Sequence, residues 1–393
     1  MSPEQRTTTD VVIAGGGPVG IFLGILLLQA GVSVRVLERR SQRSGHSRAI
    51  GIHPPALQVL ASAGVVDQLV GEGTAIRRGE ARSRGRLVAT LPFEDVSPIY
   101  PFVLALQQCR TDDILERRLL ELDPDALVRG VQVFSMDDDG DGVVVRAVPE
   151  SGEGSPREFR ARIGVASDGA KSVLRDRMDV GVRRTKYPDT YLMGDFADAP
   201  ESNEDRNAVL YLEPDGIVES FPLPGGIRRW VMRTRSLDRE PTATSLAKEI
   251  RRRTGVVLDP TSNTMLSAFE VRSQLVTTMI HGRTVLLGDA AHEISPIGGQ
   301  GMNLGWLDAA DLAPLITASL RAALSGPARG RALASFDSRR RRAAVVASRQ
   351  AHLNMMLGRP LPARVLAARN RIMAAAIGAG PVGLIVARRF TMH

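Results

Sequence analysis

The stretch "DVVIAGGGPVG", Asp10–Gly20, decides the fold, and "IGAGPVG", Ile377–Gly383, tests that decision, because both carry glycines at the G-x-G-x-x-G spacing. Asp10–Ala14 is a short apolar run rich in β-branched residues, the pattern of a buried parallel strand. Gly15, Gly17 and Gly20 follow, then "VGIFLGILLLQA" as a buried helix, Gly31 beyond its end, and "VSVRVLE" as a second strand closing on Glu38. The three glycines have separate roles in that order. Gly15 permits the tight turn, Gly17 lets backbone approach a pyrophosphate, and Gly20 lets helix pack on strand. Pro18 and Val19 open the helix whose N-terminus faces the phosphates. Glu38, followed by Arg39, falls about twenty residues on, where an acid accepts hydrogen bonds from a free ribose 2′-hydroxyl. A carboxylate there suits FAD or NAD and disfavours the 2′-phosphate of NADP as a tightly held group.

The second copy fails in context. "NRIMAAA" before it favours helix, and too little chain follows Gly383 for a helix, a second strand and an acid. It reads as a helix–helix turn in a C-terminal helical segment, so one nucleotide fold is expected.

Composition agrees with a globular enzyme. The 393 residues are 43% hydrophobic and 24% charged, with only 4% aromatic, so the core is aliphatic. The net charge is +8 and almost all arginine, Lys171, Lys186 and Lys248 being the only lysines. The basic residues are dispersed apart from Arg339–Arg342, which favours attraction of anionic cofactors over nucleic-acid binding. Cys109 is the single cysteine, which rules out an internal disulfide or thiolate cluster and fits a cytoplasmic location. The start "MSPEQRTTTD" has no apolar signal core, and Ile21–Ala30 is shorter than the roughly 20 residues of a membrane span. No stable membrane insertion is expected.

Two later motifs choose between FAD and NAD. Ile163–Ser167 reads as a strand leading to Asp168-Gly169. Thr284–Leu287 reads as another, delivering Gly288-Asp289 to its carboxyl end, where such folds bind ligands. Asp289 suits a polyol, and FAD has a ribityl chain where NAD has none. "PIGGQGMN", Pro296–Asn303, then makes a glycine-rich turn before a helix, with N–H groups able to face the electron-rich edge of a flat ring.

At these residues the chain resembles the para-hydroxybenzoate hydroxylase family of class A FAD-dependent aromatic monooxygenases, related to ubiquinone-pathway hydroxylases. The likeness runs from about Asp10 to Leu312. It implies an α/β fold: a Rossmann-like FAD-binding domain (GR2-type), an inserted mixed β-sheet substrate domain and a C-terminal helical tail. The expected segments are 1–178 and 273–334 for FAD, 179–272 for substrate and 335–393 for the tail. It implies that Glu38 binds the adenosine ribose, and that Arg48 and Gln108 lie on the FAD. Asp168 would lie by the pyrophosphate and Gly288-Asp289 by the ribityl chain. Pro296, Gly298, Gly299, Gly301, Met302 and Asn303 would line the flavin where oxygen reacts, with Pro296, Gly298 and Gly299 at the reacting edge. NADPH or NADH would visit transiently, since the family has no second Rossmann domain, and O2 would add at flavin C4a as a hydroperoxide before reaching an aromatic or polycyclic substrate. Hydroxylation or epoxidation in secondary, antibiotic-type metabolism is the expected outcome, by a monomer or homodimer.

In the substrate segment, Tyr191–Ala197, Ala208–Leu212, Val218–Pro222, Arg228–Thr234 and Leu266–Val271 read as strands. Met193, Phe221 and Trp230 are candidate cavity residues, with plain core packing the competing reading. Arg233 and Arg235 are either anion contacts or solvated. "DDDGDG", Asp137–Gly142, has half of a calcium loop, but position twelve is Val148 and strands flank it, so it reads as a hairpin turn. The histidines show no metal spacing: His292 reads as packing at a helix start, and His46 and His53 have no assignable chemistry. A halogenase is disfavoured because Trp230 and Trp306 are isolated. An FAD-dependent reductase of unsaturated isoprenoids and a non-catalytic flavin binder remain alternatives. No protein general base can be named.

Overall fold

The computed structural model describes residues 7–43, 49–152, 155–198, 206–378 and 381–392. The expected nucleotide unit forms first. Thr7–Ala14 lies at the centre of a sheet, parallel to Val34–Glu38 on one side and Arg157–Ala166 on the other. Leu127–Arg129 and Thr284–Leu286 extend it in parallel outward. Val11, Val12 and Ile13 are fully buried, as a strand covered on both faces requires. The helix Pro18–Gln29 has no polar stripe and is buried along nearly its whole length. "DDDGDG" joins the antiparallel strands Val131–Asp138 and Val143–Pro149, the expected hairpin.

A second sheet runs in the order His292–Glu293, Met265–Val276, Val182–Ala197, Ile227–Thr234, Val218–Leu223, Ala208–Tyr211, Arg78–Ser83, Arg86–Pro92. All five strands anticipated in the substrate segment are present in it. The boundaries 179 and 272 do not contain it, however. Arg78–Ser83 pairs in parallel with Ala208–Tyr211 and brings its hairpin partner from the first segment, while His292–Glu293 joins from the third. Edge pairing across such separations has no local sequence mark, which is why the segmentation missed it.

The helices Gly326–Leu357, Ala363–Gly378 and Pro381–Phe390 complete the chain. Helix flanks the second glycine loop on both sides, although Ala379 and Gly380 lie outside the described residues. These helices are not an appended tail. Ala387 is buried with Ile76, Phe93, Val103 and Leu223, and Phe390 stacks on Phe93 with centroids 5.8 Å apart. Among the described residues no single helix is long and apolar enough to cross a membrane.

Candidate active site

Two helix N-termini converge at the carboxyl edge of the first sheet. The helix Pro18–Gln29 has proline in its first turn, Gly17 as N-cap, no side-chain cap and no acid in the first turn. Its leading N–H groups and positive dipole end are therefore left for a ligand. A Cβ placed on Gly17 or Gly169 would meet no atom of the described residues within 4 Å, so among them space is kept open beside both loops. Gly15 has another reason to be glycine: φ is +108° and a Cβ would sit 2.2 Å from the Ser167 carbonyl oxygen. Gly20 likewise lies against Gly15 O and serves the close helix–strand packing foreseen for it.

The second N-terminus belongs to the helix Gln300–Leu320, capped by Gly299 at φ 65° without a side-chain partner. The helix starts inside "PIGGQGMN". Gly301, Met302 and Asn303 thus occupy its first turn and not the preceding loop, a correction to the expected boundary. The two helices are locked together. Trp306 Nε1 donates to Pro18 O at 3.1 Å, and a Cβ on Gly305 would lie 2.5 Å from Val19 Cγ2. Val19 also packs against Gly288, whose φ is +61°.

Between these helix starts and the second sheet lies a cavity of about 590 Å³. Gly17, Pro18, Val19, Gln108 and Asp289 line its nucleotide end. Pro296, Gly298, Gly299, Gly301 and Met302 line the adjoining edge. Asp289 keeps accessible surface towards this cavity. Enclosure by protein raises its pKa, which the charge of nearby His292 partly opposes. Asp168 stands just outside the wall formed by Ser167 and Gly169. Its Oδ2 accepts from Leu174 N at 3.4 Å, and its buried Oδ1 has no partner among the described residues; burial raises its pKa. An orphaned carboxylate oxygen, an uncapped helix start and open glycine faces fit a bound dinucleotide.

Three expected residues sit outside the cavity wall. Glu38 Oε2 accepts from Gly16 N at 2.7 Å and Oε1 from Arg40 N at 2.9 Å, each oxygen retaining a lone pair for a ribose hydroxyl. Arg39 is exposed. Asn303 does not line the cavity: it clamps the loop, donating to Gly51 O and Gly299 O and accepting from His53 N at 2.8 Å. Both its N–H groups are spent on backbone carbonyls and its side chain is fully buried, which corrects the direct cofactor contact expected of it. Arg48 and His46 lie outside the described residues.

On the sheet side, strand parity sorts the substrate candidates. Met193 and Phe221 line the cavity. Trp230 does not, and that expectation is corrected: it lies between Arg229 and Val231, both cavity-facing, so it projects to the other face. There it packs with Leu246 and Ile250 of the helix Ala243–Thr254. Arg233 pairs with buried Asp189 at 3.0 Å, and Arg235 is exposed, 3.7 Å from Asp215.

Several wall residues were not anticipated. His53 adjoins the glycine turn, its Nε2 3.2 Å from Gly298 O. Arg229 reaches the cavity and holds Asp195 with two 2.7 Å bonds. Glu219 shares its strand face with Phe221 two residues on; a glutamate inside "VESFPL" was the available signal. Arg369, Met373 and Phe390 come from the C-terminal helices, and nothing local in those helices marks them as wall. His292 is buried, and its Nε2 pairs with Asp308, which also takes a bond from Arg340. Burial lowers the His292 pKa, but the charge and hydrogen bond of Asp308 outweigh it and leave the pKa raised. The histidine thus ties the helix Gln300–Leu320 to the segment that carries Asp289 through its bond to Asp308, a role beyond plain packing.

Residues 8–351 match the family described as FAD binding domain. The chain is 31% identical to 6-methylpretetramide 4-monooxygenase of Streptomyces rimosus over 79% of its own length and 56% of that protein's. It is 29% identical to 3-(3-hydroxy-phenyl)propionate/3-hydroxycinnamic acid hydroxylase of Comamonas testosteroni, over 86% of this chain and again 56% of the other. The chain thus spans little more than half the length of these relatives. The crystal structure of p-nitrophenol 4-monooxygenase from Pseudomonas putida DLL-E4 superposes with a TM-score of 0.85 at 24% identity, covering 98% of this chain and 97% of that one, which shows a shared fold.

Proposed function

Because the chain belongs to the FAD binding domain family of class A flavoprotein hydroxylases, we propose that it is an FAD-dependent, NAD(P)H- and O2-consuming monooxygenase. It inserts one oxygen atom into an aromatic or polycyclic small molecule. The observation that carries this reading is the continuity of one cavity from the dinucleotide cradle at Gly17 and Asp289, past the turn at Gly298-Gly299, to the sheet face at Met193 and Phe221. When bound, FAD supplies hydride acceptance and oxygen activation.

The chain's own part is binding, orientation and exclusion of water. The uncapped N–H groups after Gly17 would hold the pyrophosphate, Glu38 the ribose and Asp289 the ribityl hydroxyls. The N–H groups at the start of Gln300–Leu320 would face the pyrimidine edge of the ring, where oriented donors favour negative charge. The sheet and the C-terminal helices close an apolar chamber over it, which shields the reacting region from water. Likeness to 6-methylpretetramide 4-monooxygenase of Streptomyces rimosus supports a place in secondary metabolism, and a cytoplasmic monomer or homodimer completes the proposal.

The test is purified yellow protein, supplied in turn with NADH, NADPH and a panel of phenols, indoles and polycyclic arenes under labelled oxygen. Substrate-stimulated NAD(P)H oxidation with one labelled atom in the product is expected. Turnover that continues without oxygen would identify a reductase instead, and protein that never takes up flavin would overturn the reading.

A further inference from the structure

Glu219 occupies the middle of the strand Val218–Leu223, directly across from Leu210 on one neighbouring strand and Val231 on the other. Its residue is 7% exposed, and the surface it keeps faces the cavity. Among the described residues its carboxyl finds no side-chain hydrogen bond or ion pair, in contrast to the neighbouring sheet acids Asp195 and Glu80. Asp195 is held by Arg229, and Glu80 takes bonds from Asn207 and Arg82. A carboxyl buried among aliphatic side chains costs several kcal/mol unless something satisfies it. A second polar group waits nearby: Tyr191 Oη is buried without a partner, and Glu219 contributes to raising its pKa after burial itself. The surrounding wall is apolar, from Met193, Leu210, Phe221, Val231 and Phe269.

We propose that Glu219 is the polar anchor of the substrate cavity, accepting a hydrogen bond and, in turnover, the proton from a ring hydroxyl of an uncharged, otherwise apolar arene. This rests on the monooxygenase reading above and narrows its substrate class. In the proton step the substrate O–H bond breaks and a Glu219 O–H bond forms. The electron pair stays on the ring oxygen, which makes the ortho and para carbons more nucleophilic. The proton is available to return to the product oxygen. Burial moves the Glu219 pKa up to about 7, so the group exchanges protons near neutrality. The other charged or titratable groups lining the chamber are Arg229 (paired with Asp195), Glu80, Asp289, His53 and Arg369, and Tyr191 is buried behind the wall. None is a cause of the Glu219 shift, which burial alone produces.

The experiment titrates FAD-loaded protein with 2-naphthol, 2-methoxynaphthalene and 2-naphthoate, following the flavin absorption spectrum. The first has the hydroxyl, the second lacks the donor and the third carries an anion. Wild type should bind 2-naphthol about tenfold tighter than either analogue, the worth of one hydrogen bond to a charged group. That affinity should weaken as pH falls below about 7, where the carboxyl is neutral. Glu219→Gln should erase both the preference and the pH dependence, Glu219→Met should do the same, and Glu219→Asp should restore part of each. Equal FAD content, and a melting temperature no lower than that of wild type, show that folding is intact in these variants. The proposal is overturned if 2-naphthol does not bind, if 2-naphthoate or 2-methoxynaphthalene binds as tightly, or if Glu219→Gln keeps the wild-type preference. These are binding readouts, so they stand apart from the monooxygenase reading, which fails separately if no arene stimulates NAD(P)H oxidation.

Discussion

Gly15 and Gly17 stand two residues apart and answer to different constraints. At Gly15 the left-handed backbone and the Ser167 carbonyl forbid a side chain. Gly15→Ala should therefore destabilise the fold by at least about 2 kcal/mol, read as a lowered denaturant midpoint. At Gly17 the neighbouring space is open. Gly17→Val should fold with a stability loss of no more than about 1 kcal/mol yet purify colourless, checked by flavin absorbance per mole of protein. Glu219 gives a residue-scale prediction in pH. Its pKa in the fold is raised from the ordinary 4.5 to about 7, so its stabilising contribution is fully present below 4.5 and is lost as pH rises through about 7. Glu219→Gln should match wild type near pH 4.5 and exceed it at pH 8 by about 3 kcal/mol, at about 1.4 kcal/mol per tenfold change. Denaturant unfolding at the two pH values tests this; a gap that does not widen with pH would refute it.

At the scale of elements, alternation along strands does the sorting. On Val182–Ala197, Ile227–Thr234 and Val218–Leu223 the odd-numbered residues Met193, Arg229, Val231, Glu219 and Phe221 face the cavity. The even-numbered Leu192, Trp230, Met232 and Val218 pack under the helix Ala243–Thr254. The paired strands keep this parity because Asp195 lies opposite Arg229 and Met193 opposite Val231. Asp195 and Arg229 are 4% and 2% exposed, so their bidentate pair is a buried one. Asp195→Asn removes the charge that balances Arg229 and should cost about 3–5 kcal/mol, whereas adding Arg229→Met should recover much of that loss. Thermal unfolding of the single and double variants decides it.

At the scale of the molecule, the chamber is walled by three bodies of structure that are remote in sequence: the glycine-loop sheet, the second sheet and the helices after Gly326. Phe390 touches both Phe93 and His53, with His53 in turn against the glycine turn at Gly298. Ending the chain at Gly358 would remove Arg369, Met373 and Phe390 from the wall and uncover the cluster around Phe93. The truncated protein should retain the residues of the FAD cradle but admit water. The expected result is an increase in hydrogen peroxide released per NAD(P)H oxidised, measured against the full chain with the same arene. Unchanged coupling would mean that these helices do not seal the chamber.

The glycine loop, the Asp-Gly and Gly-Asp motifs and the strands of the substrate segment are legible in the chain because each is a local pattern. A strand needs a few residues of one periodicity, and a dinucleotide turn needs glycines at fixed offsets. The rejection of the second glycine loop was equally local, resting on the helical residues before it. Tertiary structure alone decided what depends on contacts between distant segments. It turned Trp230 away from the cavity, committed Asn303 to clamping backbone, brought Arg78–Pro92 into the second sheet and made the C-terminal helices a wall. It also left Glu219 without a side-chain partner among the described residues, a property of the space around a residue, and that space is filled or left open only when the whole chain has packed.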